Sequence, residues 1–197
     1  MHILDIQKIE TIVSELKILP PTILKDLYTS TKKGKKQKSG NQGGLKCDKG
    51  IYVFWWVGEL EPLVEKLKKA KLTFTGAGRE HITIEYSESW IDAAKHNNKI
   101  CLYIGKGKIK QRLSQHLKVQ TLFREINSTT NGNRKPDTSS QLRYGFERVF
   151  GNENVLDTIF ENVGISIHEN NSSVNRFYLE NRAIGCLFPL FNFDIER

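Results

Sequence analysis

The chain is 197 residues long, with 30 Lys+Arg against 22 Asp+Glu and a formal net charge of +8, a length that suits one domain (1–197) with insertions and a core needing neither disulfides nor structural metal. Its three cysteines, Cys47, Cys101 and Cys186, stand far apart without a CxxC pair, which argues against a disulfide framework or a zinc site and for a reducing, cytoplasmic setting. No apolar run approaches the roughly 18 residues of a membrane span and the N-terminus does not read as a signal peptide, so a soluble protein with no membrane partner is expected.

Residues 5–19 place Ile6, Ile9, Val13 and Leu16 at helical spacing, with Asp5 as N-cap and Pro20-Pro21 as the stop. They predict an N-terminal helical arm, residues 1–29, packed through one apolar stripe. A short apolar piece, 23–28, leads into a glycine- and serine-rich segment, 30–49. Seven lysines stand there (Lys32, Lys33, Lys35, Lys36, Lys38, Lys46 and Lys49) against Asp48, which leaves +2 for the remaining 177 residues. The tract is expected to be flexible and to meet a polyanion; its bland alternative is a solvated lysine loop.

Residues 50–57 (GIYVFWWV) form a continuous β-branched and aromatic run that predicts a buried strand, with Ile51, Val53, Trp55 and Val57 on one face and Tyr52, Phe54 and Trp56 on the other. A helix with a basic side over 61–71, a short strand over 81–86 and a short helix over 90–95 follow. Residues 99–105 (KICLYIG) predict the next strand, with Ile100, Leu102 and Ile104 opposite Cys101 and Tyr103. Over 108–118 the period turns helical, stacking Ile109, Leu113 and Leu117 beside a polar row of Arg112 and His116. A polar loop, 127–141, precedes a helix over 142–150, a strand around 165–168 and a helix over 173–184, and the sequence FPLFNF follows. The expected class is α+β: a small central antiparallel β-sheet flanked by helices, with residues 60–98 inserted between the first two core strands.

Three local features bear chemistry. Pairing of the strands 50–57 and 99–105 would set Tyr52 and Tyr103 side by side, although two ordinary core tyrosines would look the same. Gly105-Lys106-Gly107 before a helix offers amides and an ammonium to a phosphate, a weak signal alone. Glu180 has apolar Phe177, Ala183 and Ile184 at helical spacing. A carboxylate in such a stripe needs a salt bridge, here to Arg176 or Arg182, or a hard cation such as Mg2+.

Taken in order, Gly50-Ile51-Tyr52, Tyr103-Ile104-Gly105, Lys106, Arg112, His116, Glu180 and the Asn192 of Pro189-Leu190-Phe191-Asn192 resemble the GIY-YIG nuclease superfamily over about residues 50–57 and 99–195. The insertion 60–98 is longer than most members carry between the tripeptides. The resemblance implies the GIY-YIG fold and Mg2+-dependent hydrolysis of phosphodiesters, with Mn2+ able to substitute. Glu180 would hold the metal, Tyr52 would act as general base under nearby positive charge from Lys106, Arg112 and the metal, and Arg112 would fork to phosphate oxygens. His116 would assist Tyr52, Tyr103 would orient water or phosphate, and Asn192 would anchor the end of the chain.

With no appended targeting module, the organisation looks most like a type II restriction endonuclease, a homodimer on double-stranded DNA with a cognate DNA methyltransferase as a further partner. The alternatives are a nickase or mobile-element endonuclease of low specificity and a DNA-binding module without turnover. Expected phosphate contacts are Lys32, Lys33, Lys35, Lys36 and Lys38. The insertion, with Lys66, Lys68, Lys69, Lys71 and Arg79, is expected at DNA or a dimer interface unless it packs only on itself. Base contacts are sought at Arg79, Arg134, Lys135, Gln141 and Arg143, whose bland reading is phosphate or solvent contact.

Overall fold

The structure, a computed structural model, describes residues 5–30, 36–38, 48–75, 81–117, 140–151 and 155–193. In chain order these form α1 (Ile6–Ile18), β1 (Thr22–Ile23), α2 (Leu24–Leu27), β2 (Tyr28–Ser30), β3 (Lys36–Lys38) and β4 (Lys49–Trp56). Next come α3 (Leu60–Lys69), β5 (Lys71–Thr75), β6 (His81–Glu85), α4 (Glu88–Ala93), β7 (Lys95–His96) and β8 (Lys99–Lys108). The described elements finish with α5 (Ile109–His116), α6 (Gln141–Phe150), α7 (Val155–Asn162), β9 (Val163–Glu169) and α8 (Ser173–Leu187). No helix among them is long and apolar enough to cross a membrane.

An α+β architecture results, built on a five-stranded sheet of order β1-β9-β4-β8-β7 in which every pairing is antiparallel. β4 is central, and Gly50 through Trp56 are all buried. That double-sided burial is why its sequence is a continuous apolar run rather than a half-polar alternation. One face carries Ile51, Val53 and Trp55 against Ile12, Val13 and Leu16 of α1 and Leu179, Ala183 and Leu187 of α8. The other carries Tyr52, Phe54 and Trp56 under Leu63 and Leu67 of α3, Ile109 and Leu113 of α5, Leu142 and Phe146 of α6 and Ile159 of α7.

Several sequence expectations change. α1 begins with its predicted Asp5 cap, whose carboxylate accepts from Lys8 N at 2.7 Å, but Ile6 is exposed and does not belong to the stripe. The helix expected over 61–71 ends at Lys69, and Lys71 instead opens a hairpin with β6, facing Glu85 in register and in a salt bridge of 2.6 Å. The insertion therefore does not pack only on itself: Leu63, Leu67, Leu72, Tyr86 and Ile91 belong to the main core, and the Tyr86 hydroxyl donates to Leu190 O at 3.1 Å. α7 was not foreseen at all. Within the basic tract Lys36–Lys38 is a strand paired with Tyr28–Ser30 rather than coil.

The most consequential difference lies in β8. Phe54 pairs with Tyr103, but Trp55 pairs with Cys101, so Leu102 is an extra residue facing β4. This β-bulge resets the alternation. Leu102 and Tyr103 both pack on the Tyr52 face, while Cys101 and Ile104 pack on the α1/α8 face; Tyr103 keeps the face its alternation with Gly105 gives it, whereas Ile100 and Leu102 join Tyr103 and Cys101 joins Ile104, the reverse of the expected split.

Candidate active site

Two glycines determine where Tyr52 sits. In register Tyr52 faces Gly105 across the β4–β8 ladder, and a Cβ built on Gly105 would lie 2.4 Å from the Tyr52 hydroxyl and 2.5 Å from Cζ. The phenol therefore lies across its partner's Cα, a position only glycine leaves open. On the other side of β4, a Cβ on Gly50 would lie 2.2 Å from His168 O of β9. Gly107, at φ +125°, then turns the chain out of β8 into α5, and Ile109 N donates to Asp48 O at 3.0 Å. The two turns of α5 carry His116 back over the sheet.

The structure brings Tyr52 and His116 together. Tyr52 Oη and His116 Nε2 are 3.1 Å apart, both buried. The imidazole is enclosed edge-to-face by Tyr52, Phe54 and Tyr103, with centroids at 5.9, 5.4 and 5.1 Å, and Tyr103 lies 6.4 Å from Tyr52. At the opposite ring nitrogen, His116 Nδ1 is 2.6 Å from Ser140 Oγ, which also accepts from Arg143 N at 3.1 Å as the N-cap of α6. Sequence reasoning missed Ser140; a serine just before the apolar period of 142–150 was its only signal.

Burial dominates the electrostatics. It pushes the Tyr52 phenol well above its usual range, reinforced by Tyr103 and Glu180 and opposed by Arg112. It pushes His116 down to about 4, helped by the charge of Arg112. Tyr103 is raised for the same reason, with Glu180 adding and Arg112 subtracting. In this state the pair is a protonated phenol beside a neutral imidazole.

Glu180 also differs from expectation. Phe177 is not inward but 52% exposed, Arg176 donates to Asn170 O at 2.8 Å, and Arg182 pairs with Glu10 of α1 at 2.7 Å. The partner of Glu180 is Lys106, whose ammonium also lies 5.2 Å above the Phe177 ring. The Glu180 side chain is 16% exposed, half-hidden at the rim. Among the described residues no group of three or more His, Cys, Asp or Glu is arranged to hold a metal. The donor set is one carboxylate that already carries a cation. It fits a hard ion such as Mg2+, which takes most of its ligands from water and phosphate, and not a caged zinc.

Arg112 is exposed, with its guanidinium 3.1 Å from Gln115 Oε1. Asn192 anchors the end of the chain as expected: its amide accepts from Ile104 N at 2.7 Å and donates to Ile104 O at 2.8 Å, between Tyr103 and Gly105. Leu190 N to Cys101 O at 3.1 Å and Phe191 N to Leu102 O at 2.7 Å continue the attachment along the bulge.

Two of the residues considered for base contacts have partners within the fold. Arg143 is 7% exposed and salt-bridged to Glu147 at 2.5 Å, and the Gln141 amide donates to Phe193 O at 2.6 Å. In the insertion Lys68 pairs with Glu88 at 2.5 Å and Lys66 lies 5.4 Å from the Phe150 ring. Lys32, Lys33, Lys35, Arg79, Arg134, Lys135 and most of the 127–141 loop lie outside the described residues. No family model, curated protein or solved structure matches the chain.

Proposed function

We propose that the protein is a Mg2+-dependent DNA endonuclease of the GIY-YIG superfamily, a type II restriction endonuclease that cuts both strands of double-stranded DNA as a homodimer. One observation carries the reading: a phenol and an imidazole in contact at 3.1 Å, buried at the junction of the two tripeptides, with Arg112 and Glu180 near enough to act on the phenol electrostatically. Buried phenol–imidazole pairs also occur as plain core. Here, however, the backbone is shaped around the phenol by Gly105, and a cationic and an anionic group, Arg112 and Glu180, both act on it electrostatically.

In hydrolysis a water oxygen bonds to phosphorus as the bond from phosphorus to the departing deoxyribose oxygen breaks. The water proton passes to Tyr52 Oη while the phenol's own proton moves to His116 Nε2. Because burial opposes both a free phenolate and a resting imidazolium, a coupled transfer avoids the phenolate, and the pair acts as one base. Arg112 offers a fork to the phosphate oxygens and Lys106 a point charge. Glu180 would hold Mg2+, which when bound supplies charge stabilisation at the phosphate and the leaving oxygen; phosphate arriving at Lys106 competes for the ammonium that Glu180 now carries.

Incubation of the protein with supercoiled plasmid and Mg2+, followed by sequencing of the ends, tests this. Discrete fragments with fixed ends are expected. Nicks or heterogeneous ends would replace restriction by a nickase or mobile-element activity of low specificity, and uncut plasmid would overturn the enzyme assignment in favour of a DNA-binding module.

A further inference from the structure

His116 has two ring nitrogens with different partners, and which one bears the proton decides what Tyr52 can do. The Nε2 contact is to a phenol, and the Nδ1 contact is to an aliphatic hydroxyl that already caps α6. A phenol O–H is a far more acidic donor than an imidazole N–H, so the favourable arrangement has Tyr52 donating to an unprotonated Nε2. The neutral ring then carries its proton on Nδ1, where Ser140 Oγ lies 2.6 Å away as acceptor. Among the described residues, Ser140 is the group that selects the tautomer.

We propose that Ser140 is a positioning residue of the site: its hydroxyl oxygen accepts the His116 Nδ1 proton, keeping the Nε2 lone pair aimed at the Tyr52 hydroxyl. The role rests on the reading of Tyr52 and His116 as the base in DNA cleavage. When the phenol proton moves to Nε2 the ring becomes an imidazolium, and the Nδ1–H···Oγ bond persists and strengthens, so no group has to reorient at the moment of transfer. Ser140 reaches this position because it starts α6, and the Gln141 side chain beside it is tied to Phe193 O at 2.6 Å, while the neighbouring Asn192 is tied to β8.

Two readouts separate positioning from helix capping. Glycine is nearly as good an N-cap as serine, so Ser140→Gly removes the hydroxyl while largely keeping the helix start, and Ser140→Thr keeps both. Nitrogen NMR of His116 in the free protein should show Nδ1 protonated and Nε2 unprotonated, with the tautomer population shifting in Ser140→Gly and returning in Ser140→Thr. Single-turnover cleavage should fall about 10- to 100-fold in Ser140→Gly at unchanged DNA affinity and recover in Ser140→Thr. An Nε2-protonated ring in the native protein, or a Ser140→Gly variant with native tautomer and rate, would overturn the proposal. If the native protein cuts no DNA, the nuclease reading fails separately, and the tautomer spectra alone decide whether Ser140 holds His116.

Discussion

Gly105 has no side chain, and Tyr52 lies in the space this leaves. Gly105→Ala must displace a buried ring or spread β4 from β8, which should cost about 1–3 kcal/mol of stability and break the hydrogen bond to His116. The urea midpoint reads this directly, and an unchanged midpoint would show that the strands accommodate a methyl group. The histidines make a second prediction at this scale. Burial lowers His116 to about 4, and it lowers His96 and His168 as well, against about 6.5 in the unfolded chain. Below pH 6.5 the unfolded chain takes up protons that the folded one refuses, so stability present above that pH is lost as pH falls towards 4. His116 alone should account for on the order of 2 kcal/mol between pH 7 and 5. A urea midpoint that does not fall over that interval would mean the imidazole is charged in the fold.

Among the elements, β4 and β8 were legible because a central strand needs an unbroken apolar run, and Tyr52, Phe54 and Trp56 follow the period of two. The bulge at Leu102 was not, since an added residue leaves no mark in the amino-acid types; it decides the faces of Ile100, Cys101 and Leu102. The attachment of residues 190–192 to the bulged strand was equally hidden, because hydrogen bonds to Cys101, Leu102 and Ile104 depend on backbone position. Asn192 was singled out only through resemblance, and its role follows from satisfying both polar groups of buried Ile104. Asn192→Ala should leave that N–H and C=O unpaired and cost about 2 kcal/mol, with loosening at Tyr103 visible as faster amide exchange along β8. Unchanged exchange would reduce Asn192 to a surface residue. Ser140 was missed because the segment before it is uniformly polar, so nothing distinguishes the one serine that caps a helix and meets a histidine.

At the scale of the molecule, the +8 charge is concentrated in the segment 30–49, next in sequence to the strand that carries Tyr52. Replacing Lys32, Lys33, Lys35, Lys36 and Lys38 with glutamine should weaken DNA binding and flatten its salt dependence, by about 0.9 in the log–log slope for each phosphate that a lysine no longer neutralises, without moving the cut. A moved cut would mean the tract reads bases. Composition pointed to a polyanion but not to chemistry; the proposed chemistry draws on residues from β4, β8, α5, α8 and the start of α6. Its centre is the Tyr52–His116 pair, and the most direct measurement is Mg2+-dependent cleavage of a plasmid by Tyr52→Phe under single-turnover conditions, with DNA affinity measured in parallel. Loss of the hydroxyl should slow cleavage by about 10²- to 10⁴-fold at unchanged affinity, whereas cleavage at the native rate would contradict the assignment of this phenol as the proton acceptor.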